Sequence, residues 1–267
     1  MIRTLFVGLC AMVGLTLAHP VLAHFQLLYT PQLNHAAPAT LPFKLVFTHP
    51  AGNGAVMDMA TPEQFFVVHQ TEKTDLLSTL KPITWNGAHN QGKAFEAQVP
   101  VRRNGDYLFA LVPAPYHEEG EGYIQQFTKT IVNRGGVPSG WDEPLGLTAE
   151  IVPLTKPYAL YAGMLFSAQV LYQGEPVPGA EIEVEFMNHP VVLDANRLNP
   201  QGILQFPSPA FETFVTRADA QGIFYFTVPH AGFWGFAAVD LSPEGTEHKG
   251  EPLHHEAVIW VQAHELR

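Results

Sequence analysis

Apolar and polar residues alternate in short runs along most of the chain, and Gly and Pro stand between the runs. Phe43, Leu45 and Phe47 fall on one side of an extended segment, and His49 follows them in the same phase. Residues 63–69, 94–99 and 106–112 carry the same pattern, and Tyr123 to Val132 makes a further candidate strand. In the second half, Phe166, Ala168 and Val170 alternate with Ser167 and Gln169. Ile182, Val184 and Phe186 alternate with Glu181, Glu183 and Glu185, as a half-buried strand requires. Residues 223–229, 230–239 and 256–261 complete the set. The turns between them, such as 173–179 and 220–222, draw on 22 glycines and 23 prolines, which favours many short strands over helical crossovers. Thr74 to Leu80 supports a turn or two of helix at most.

This pattern predicts an all-β fold of two antiparallel β-sandwich-like modules. The junction falls around Ile151 to Pro157, giving an N-terminal module over 24–152 and a C-terminal sandwich over 153–267. Residues 116–146 are less regular, and irregular loops on a β framework are where binding residues concentrate.

Residues 1–23 follow another logic. Arg3 supplies a positive start, Leu5 to Leu17 is apolar but too short for a comfortable membrane span, and Val21 and Ala23 suit a signal-peptidase site. Cleavage after Ala23 would make His24 the first residue of a periplasmic or secreted protein; a retained anchor helix is the alternative. Cys10, the one cysteine, lies inside the apolar run without a lipobox, so the processed chain has neither disulfide nor thiolate ligand.

A formal net charge of −11 argues against nucleic acid or an anionic membrane surface as partner, and no direct lipid insertion is expected after cleavage. The same balance is compatible with cations, and 13 histidines direct attention to metal chemistry. An amino-terminal His24 would offer one ion two nitrogens, its α-amine and imidazole Nδ1, and a third nitrogen would complete a T-shaped or near-square site for Ni(II) or Cu(II). His49, at the end of a core-facing row, is the preferred partner; the alternative is a histidine that caps the core and bonds to main chain. Met57 and Met59 point the same way if extended and could coordinate jointly, although methionine is commonly core filler. His117 with Glu118, Glu119 and Glu121 forms a dense polar cluster, of which His117 and Glu119 are taken as candidate ligands against the alternative of a solvated acidic loop. His254 and His255 are adjacent in a strand and so face opposite ways, which keeps them from sharing an ion. His69, His89, His189, His230 and His264 read as structural or surface residues, Trp234 and Trp260 as core, and Trp141 as either. No nucleophile elbow, His-Glu-x-x-His or phosphate-binding glycine loop occurs, so an enzyme is not expected.

Several stretches together carry a family resemblance: Ala23-His24-Phe25, Phe47-Thr48-His49-Pro50, Met57-Asp58-Met59, Pro113-Ala114-Pro115-Tyr116, Trp141-Asp142, Ala218 to Gly222, Ala231 to Ala237 and Ala257 to Trp260. With them the chain resembles the DUF4198 family of extracytoplasmic proteins, which are associated with energy-coupling-factor type nickel and cobalt uptake. The resemblance implies a periplasmic accessory protein that captures Ni(II) or Co(II), with copper as a further candidate, and delivers it to a membrane importer. It also implies a C-terminal part similar to transthyretin-like or carboxypeptidase-regulatory sandwiches. His117 and His254-His255-Glu256 depart from the family pattern and add potential ligands. Two other readings stay open: a structural or adhesive sandwich without metal function, and a copper-dependent oxidase built on an N-terminal histidine.

Overall fold

The computed structural model describes residues 24–266, so the expected leader over 1–23 lies outside the described residues. The described chain is all-β, with three short 3-10 turns, one of which, Leu77–Thr79, occupies the segment expected to hold a turn of helix. Among the described residues no helix is long and apolar enough to cross a membrane.

Three sheets make up the fold. The first runs Phe25–Tyr29, Ala39–Thr48, Gln91–Val101, Lys81–Asn86, Arg197–Leu198, Val191–Val192, with Val56–Met57 beside Ala39–Thr48. The second, of twelve strands, runs along its main path Thr213–Arg217, Glu181–Phe186, Gly232–Ala238, Glu251–His264, Gly122–Arg134, Gly105–Val112, Gln64–His69, Glu72–Asp75. The third holds Ala149–Pro153, Leu165–Tyr172, Glu175–Pro176 and Ile223–Thr227.

One expectation needs correcting. The modules are not purely antiparallel, because Gly122–Arg134 and Glu251–His264 pair in parallel from Tyr123 opposite Leu253 to Thr130 opposite Trp260. That pairing makes one sheet continuous across the two halves. Residues from the second half also join the first sheet, where Arg197 pairs with Asn86. A period of two fixes which face of a strand is buried and leaves open both its partner and its direction.

Every strand read from alternation is present, whereas Phe25–Tyr29, Lys81–Asn86, Ala149–Pro153 and Thr213–Arg217 were not foreseen. For Phe25–Tyr29 the reason is burial on both faces, which erases the alternation. Phe25 and Leu27 enter a cluster with Trp85 and Trp260, while Leu28 enters the main core. Gly235 makes room there: a Cβ on it would stand 2.7 Å from Trp260 Cη2 and 3.0 Å from Phe25 Cδ1.

Phe25–Tyr29 is an edge strand, hydrogen-bonded to Ala39–Thr48 on one side alone. Its other edge cannot be left unpaired in a buried position, and side chains from the second sheet complete it. Gln126 Oε1 accepts from the Gln26 amide (2.6 Å) and Gln126 Nε2 donates to the His24 carbonyl (2.5 Å). Trp260 Nε1 donates to the Gln26 carbonyl (2.9 Å), and Thr130 Oγ1 donates to that of Leu28 (2.6 Å).

A buried ion pair ties the second sheet to the third. Lys129 Nζ lies 2.7 Å from Glu150 Oε1, both side chains are 1% exposed, and the same carboxylate accepts from the amides of Leu145, Gly146 and Leu147. Replacing Lys129 by Met would leave that carboxylate buried without its cation. The expected loss of unfolding free energy in a urea melt is about 3–5 kcal/mol.

Candidate functional site

The pairing of Phe25 with Thr48 continues into the loop, so that His24 and His49 face each other. Their ring centroids are 4.5 Å apart with planes tilted by 46°. His49 is 7% exposed and sits where Ala39–Thr48 gives way to a turn, the position its phase implied. The turn closes tightly over it: the Gly54 amide donates to the His49 carbonyl (3.3 Å), and a Cβ on Gly54 would lie 2.7 Å from His49 Cδ2. His24 also rests on Phe47, with ring centroids 5.5 Å apart.

A short hairpin brings the nearest carboxylate. Tyr116–Glu118 pairs with the start of Gly122–Arg134, Tyr116 packs edge-on against Phe47 at 5.3 Å, and Glu118 Oε2 approaches His24 Nε2 to 3.7 Å. That oxygen is buried and has no hydrogen-bond partner. Burial, followed by the charge of Glu121, raises the Glu118 pKa, with His117 acting in the opposite direction. Burial first, and the neighbouring His49 second, pull the His24 pKa down to about 4. At neutral pH the His24 ring is therefore uncharged, the form in which an imidazole lone pair can bind a metal. Beside the Phe47 and Tyr116 rings lies a cavity of about 130 Å³, bordered by Gln26, Met59, Pro113 and Gln126.

The other candidate ligands are distributed differently. Met57 pairs opposite Phe47 and Met59 follows; each is 6% exposed and part of the main core, and Met59 Sδ accepts from Gln26 Nε2 at 3.6 Å. His117 is exposed and turns away to Glu251 Oε2 at 2.9 Å and to the Tyr123 ring. Glu119 is exposed at the hairpin turn, and the carboxylate that reaches His24 is that of Glu118. His254 pairs with Asp240 at 2.7 Å while His255 bonds Tyr172 Oη at 3.1 Å, on separate faces as adjacent strand residues must be. Trp234 and Trp260 are buried core residues, and Trp141 packs partly buried against the main core. Among the described residues no group of three or more His, Cys, Asp or Glu side chains is arranged to hold a metal ion.

Three residues of the site escaped the sequence reading in whole or part. Glu118 was legible, since Tyr116 and Glu118 share a face at period two. Gln26 and Gln126 gave no signal, because an amide acquires its meaning here from the strand edge it meets. Gln126 Nε2 donates also to Glu256 Oε2 (2.7 Å), and burial pushes the Glu256 carboxyl up to about 8.

That shift has a measurable consequence. The folded state holds the Glu256 proton where the unfolded chain, with its ordinary value of 4.5, releases it. The resulting stability is fully present below about pH 4.5 and is lost as pH rises through about 8. Glu185, also raised to about 8 by burial, acts with the same sign. Glu256→Gln should therefore flatten the decline of unfolding free energy between pH 5 and 8, as measured by chemical denaturation at a series of pH values; an unchanged slope would contradict the assignment.

The family model described as "Domain of unknown function (DUF4198)" matches residues 21–240. No curated protein matches the chain. Among solved structures, the chain is similar to the D0-D1 domain of intimin at 10% identity, over 88% of this chain and 96% of that one, with a TM-score of 0.21. It is also similar to dimeric latent PorU from Porphyromonas gingivalis (12% identity, 90% of this chain and 20% of that one, TM-score 0.21). A third similarity is to titin A168169 (12% identity, 91% and 99%, TM-score 0.19). Overlaps this loose carry no functional argument.

Proposed function

The chain belongs to the DUF4198 family, and from that premise we propose that it is a periplasmic metal-binding accessory protein that captures Ni(II) or Co(II) at His24 and His49 and passes the ion to a membrane importer. The observation that carries this reading is the 4.5 Å approach of the two imidazoles, at the residue that leader cleavage would make amino-terminal. Cleavage after Ala23 would add an α-amine, whose ordinary pKa of about 8 lets a metal displace its proton at neutral pH. With that amine, the two histidine residues would offer three nitrogens to one ion. Glu118, 3.7 Å from His24 Nε2, would hold the ring proton on that nitrogen and leave Nδ1 to close a chelate with the amine, the usual service of a carboxylate behind a metal-bound histidine. The His24 side chain is 21% exposed, so an ion held there could enter and leave. Copper(II) would bind a nitrogen set of this kind more tightly than nickel or cobalt in a test tube, and availability would decide the cargo in the cell.

The second half would serve as the docking body. Its two facing sheets meet through Phe166, Phe224 and Phe236, with ring centroids 4.7 Å apart for Phe166 and Phe236 and 5.6 Å for Phe224 and Phe236. Such a core supports the transthyretin-like, carboxypeptidase-regulatory kinship. A structural or adhesive protein is the second reading, favoured by the lack of a three-side-chain metal group among the described residues; in it, His24 and His49 cap a core and nothing more. A copper oxidase finds less support, since His49 lies below the surface and not on an open substrate face.

Native mass spectrometry of the processed protein with Ni(II) or Co(II) separates the first two readings. One ion per chain is expected, with affinity falling on the order of 100-fold or more in His24→Ala or in His49→Ala while circular dichroism is unchanged. No uptake above nonspecific background, or equal uptake by both variants, would leave the structural reading in its place.

A further inference from the structure

We infer that Gln126 is a positioning residue for the His24 donors: it touches no ion itself and fixes the backbone from which both nitrogens of His24 are presented. The inference rests on the metal-binding reading above and adds to it the residue that prepares the site.

Gln126 is 4% exposed, and both ends of its carboxamide are engaged. Oε1 accepts from the Gln26 amide at 2.6 Å, while the two hydrogens of Nε2 go to the His24 carbonyl at 2.5 Å and to Glu256 Oε2 at 2.7 Å. Flipping the amide would set oxygen against the His24 carbonyl and nitrogen against the Gln26 N–H, and both contacts reject that orientation. Glu256 accepts the second Nε2 hydrogen, and Gln126 lies in the stretch of Gly122–Arg134 that pairs with Glu251–His264 in the central sheet.

The peptide unit between His24 and Phe25 is planar. Fixing its carbonyl, together with the amide one residue on, holds the Cα of His24 at a set place and direction. The α-amine is then placed by rotation about the Cα–C bond alone, and Nδ1 by that rotation and the two side-chain torsions. Without the clamp, the first residue of a processed chain would fray, as chain termini do, and closing a chelate against His49 would require ordering it first. A pre-ordered donor pair binds more tightly because that cost is met on folding.

The test uses the processed protein in three forms: wild type, Gln126→Glu and the double variant Gln126→Glu with Glu256→Gln. Gln126→Glu keeps the acceptor for the Gln26 amide, sets carboxylate oxygen where the donor to the His24 carbonyl stood, and buries a second carboxyl beside Glu256. The double variant restores the link between positions 126 and 256 with donor and acceptor exchanged, so its unfolding midpoint should return towards that of wild type, while the His24 carbonyl still lacks its donor. Ni(II) affinity of the double variant should stay about 10–100-fold below wild type. The {1H}–15N heteronuclear NOE of the Phe25 and Gln26 amides, read without metal, should fall as well. Gln126→Met, similar in shape and without either hydrogen-bonding group, carries the same expectation should the charged variants not fold. Wild-type affinity in a stable double variant, or unchanged amide NOEs, would overturn the role given to Gln126 and leave the two-histidine site standing. A wild-type protein that binds no Ni(II) would remove the site and this inference together.

Discussion

The free edge of the first strand sets the terms for everything near it. Phe25–Tyr29 is paired along one side, and its other backbone edge lies against the central sheet where water cannot serve it. A buried backbone group without a partner costs about as much as a lost hydrogen bond, so the central sheet must supply side chains at matching intervals. Gln126, Trp260 and Thr130 do so for His24, Gln26 and Leu28, alternate residues whose outward groups share that edge. The register this fixes carries through to the histidine pair: once Phe25 is opposite Thr48, His24 is opposite His49.

The same packing sets the electrostatics. Although the chain is strongly acidic overall, the groups that line the first strand are held in or towards their uncharged forms. Burial lowers His24 and raises Glu118 and Glu256. An uncharged His24 imidazole beside a carboxyl whose Oε2 accepts no hydrogen bond is a place where an arriving divalent cation would have no proton to displace from that ring's lone pair. This differs from the pair of Lys129 and Glu150, where a cation and a carboxylate already satisfy each other in the core and three backbone amides complete the carboxylate's shell.

How far the sequence was legible depends on whether a residue's role is local. Strands with polar residues in alternation, such as Glu181–Phe186, announce themselves by period two, although Glu185 is buried and only Glu181 and Glu183 of its three glutamates reach partly to the surface; the phase of Phe43, Leu45 and Phe47 put His49 at the end of the buried row. Phe25–Tyr29 and Ala149–Pro153 are buried on both faces and lose that signature. The parallel junction of Gly122–Arg134 with Glu251–His264 joins residues more than a hundred positions apart, and nothing in either segment specifies the other. At the site, alternation from Tyr116 selects Glu118 over Glu119, and counting charges in a cluster did not apply that rule. Gln126 had no signal to find, since the second of two adjacent glutamines, Gln125 and Gln126, becomes a clamp when a strand edge with the right spacing is laid on it.

The central claim is that a processed His24 contributes its own α-amine to a metal site shared with His49. The most direct measurement compares Ni(II) affinity, by isothermal titration calorimetry, for the chain beginning at His24 and for the same chain beginning at Ala23. The account predicts tight 1:1 binding in the first and a loss on the order of 100-fold or more in the second, where that nitrogen is tied up in a peptide bond. Equal affinity in the two would contradict the account.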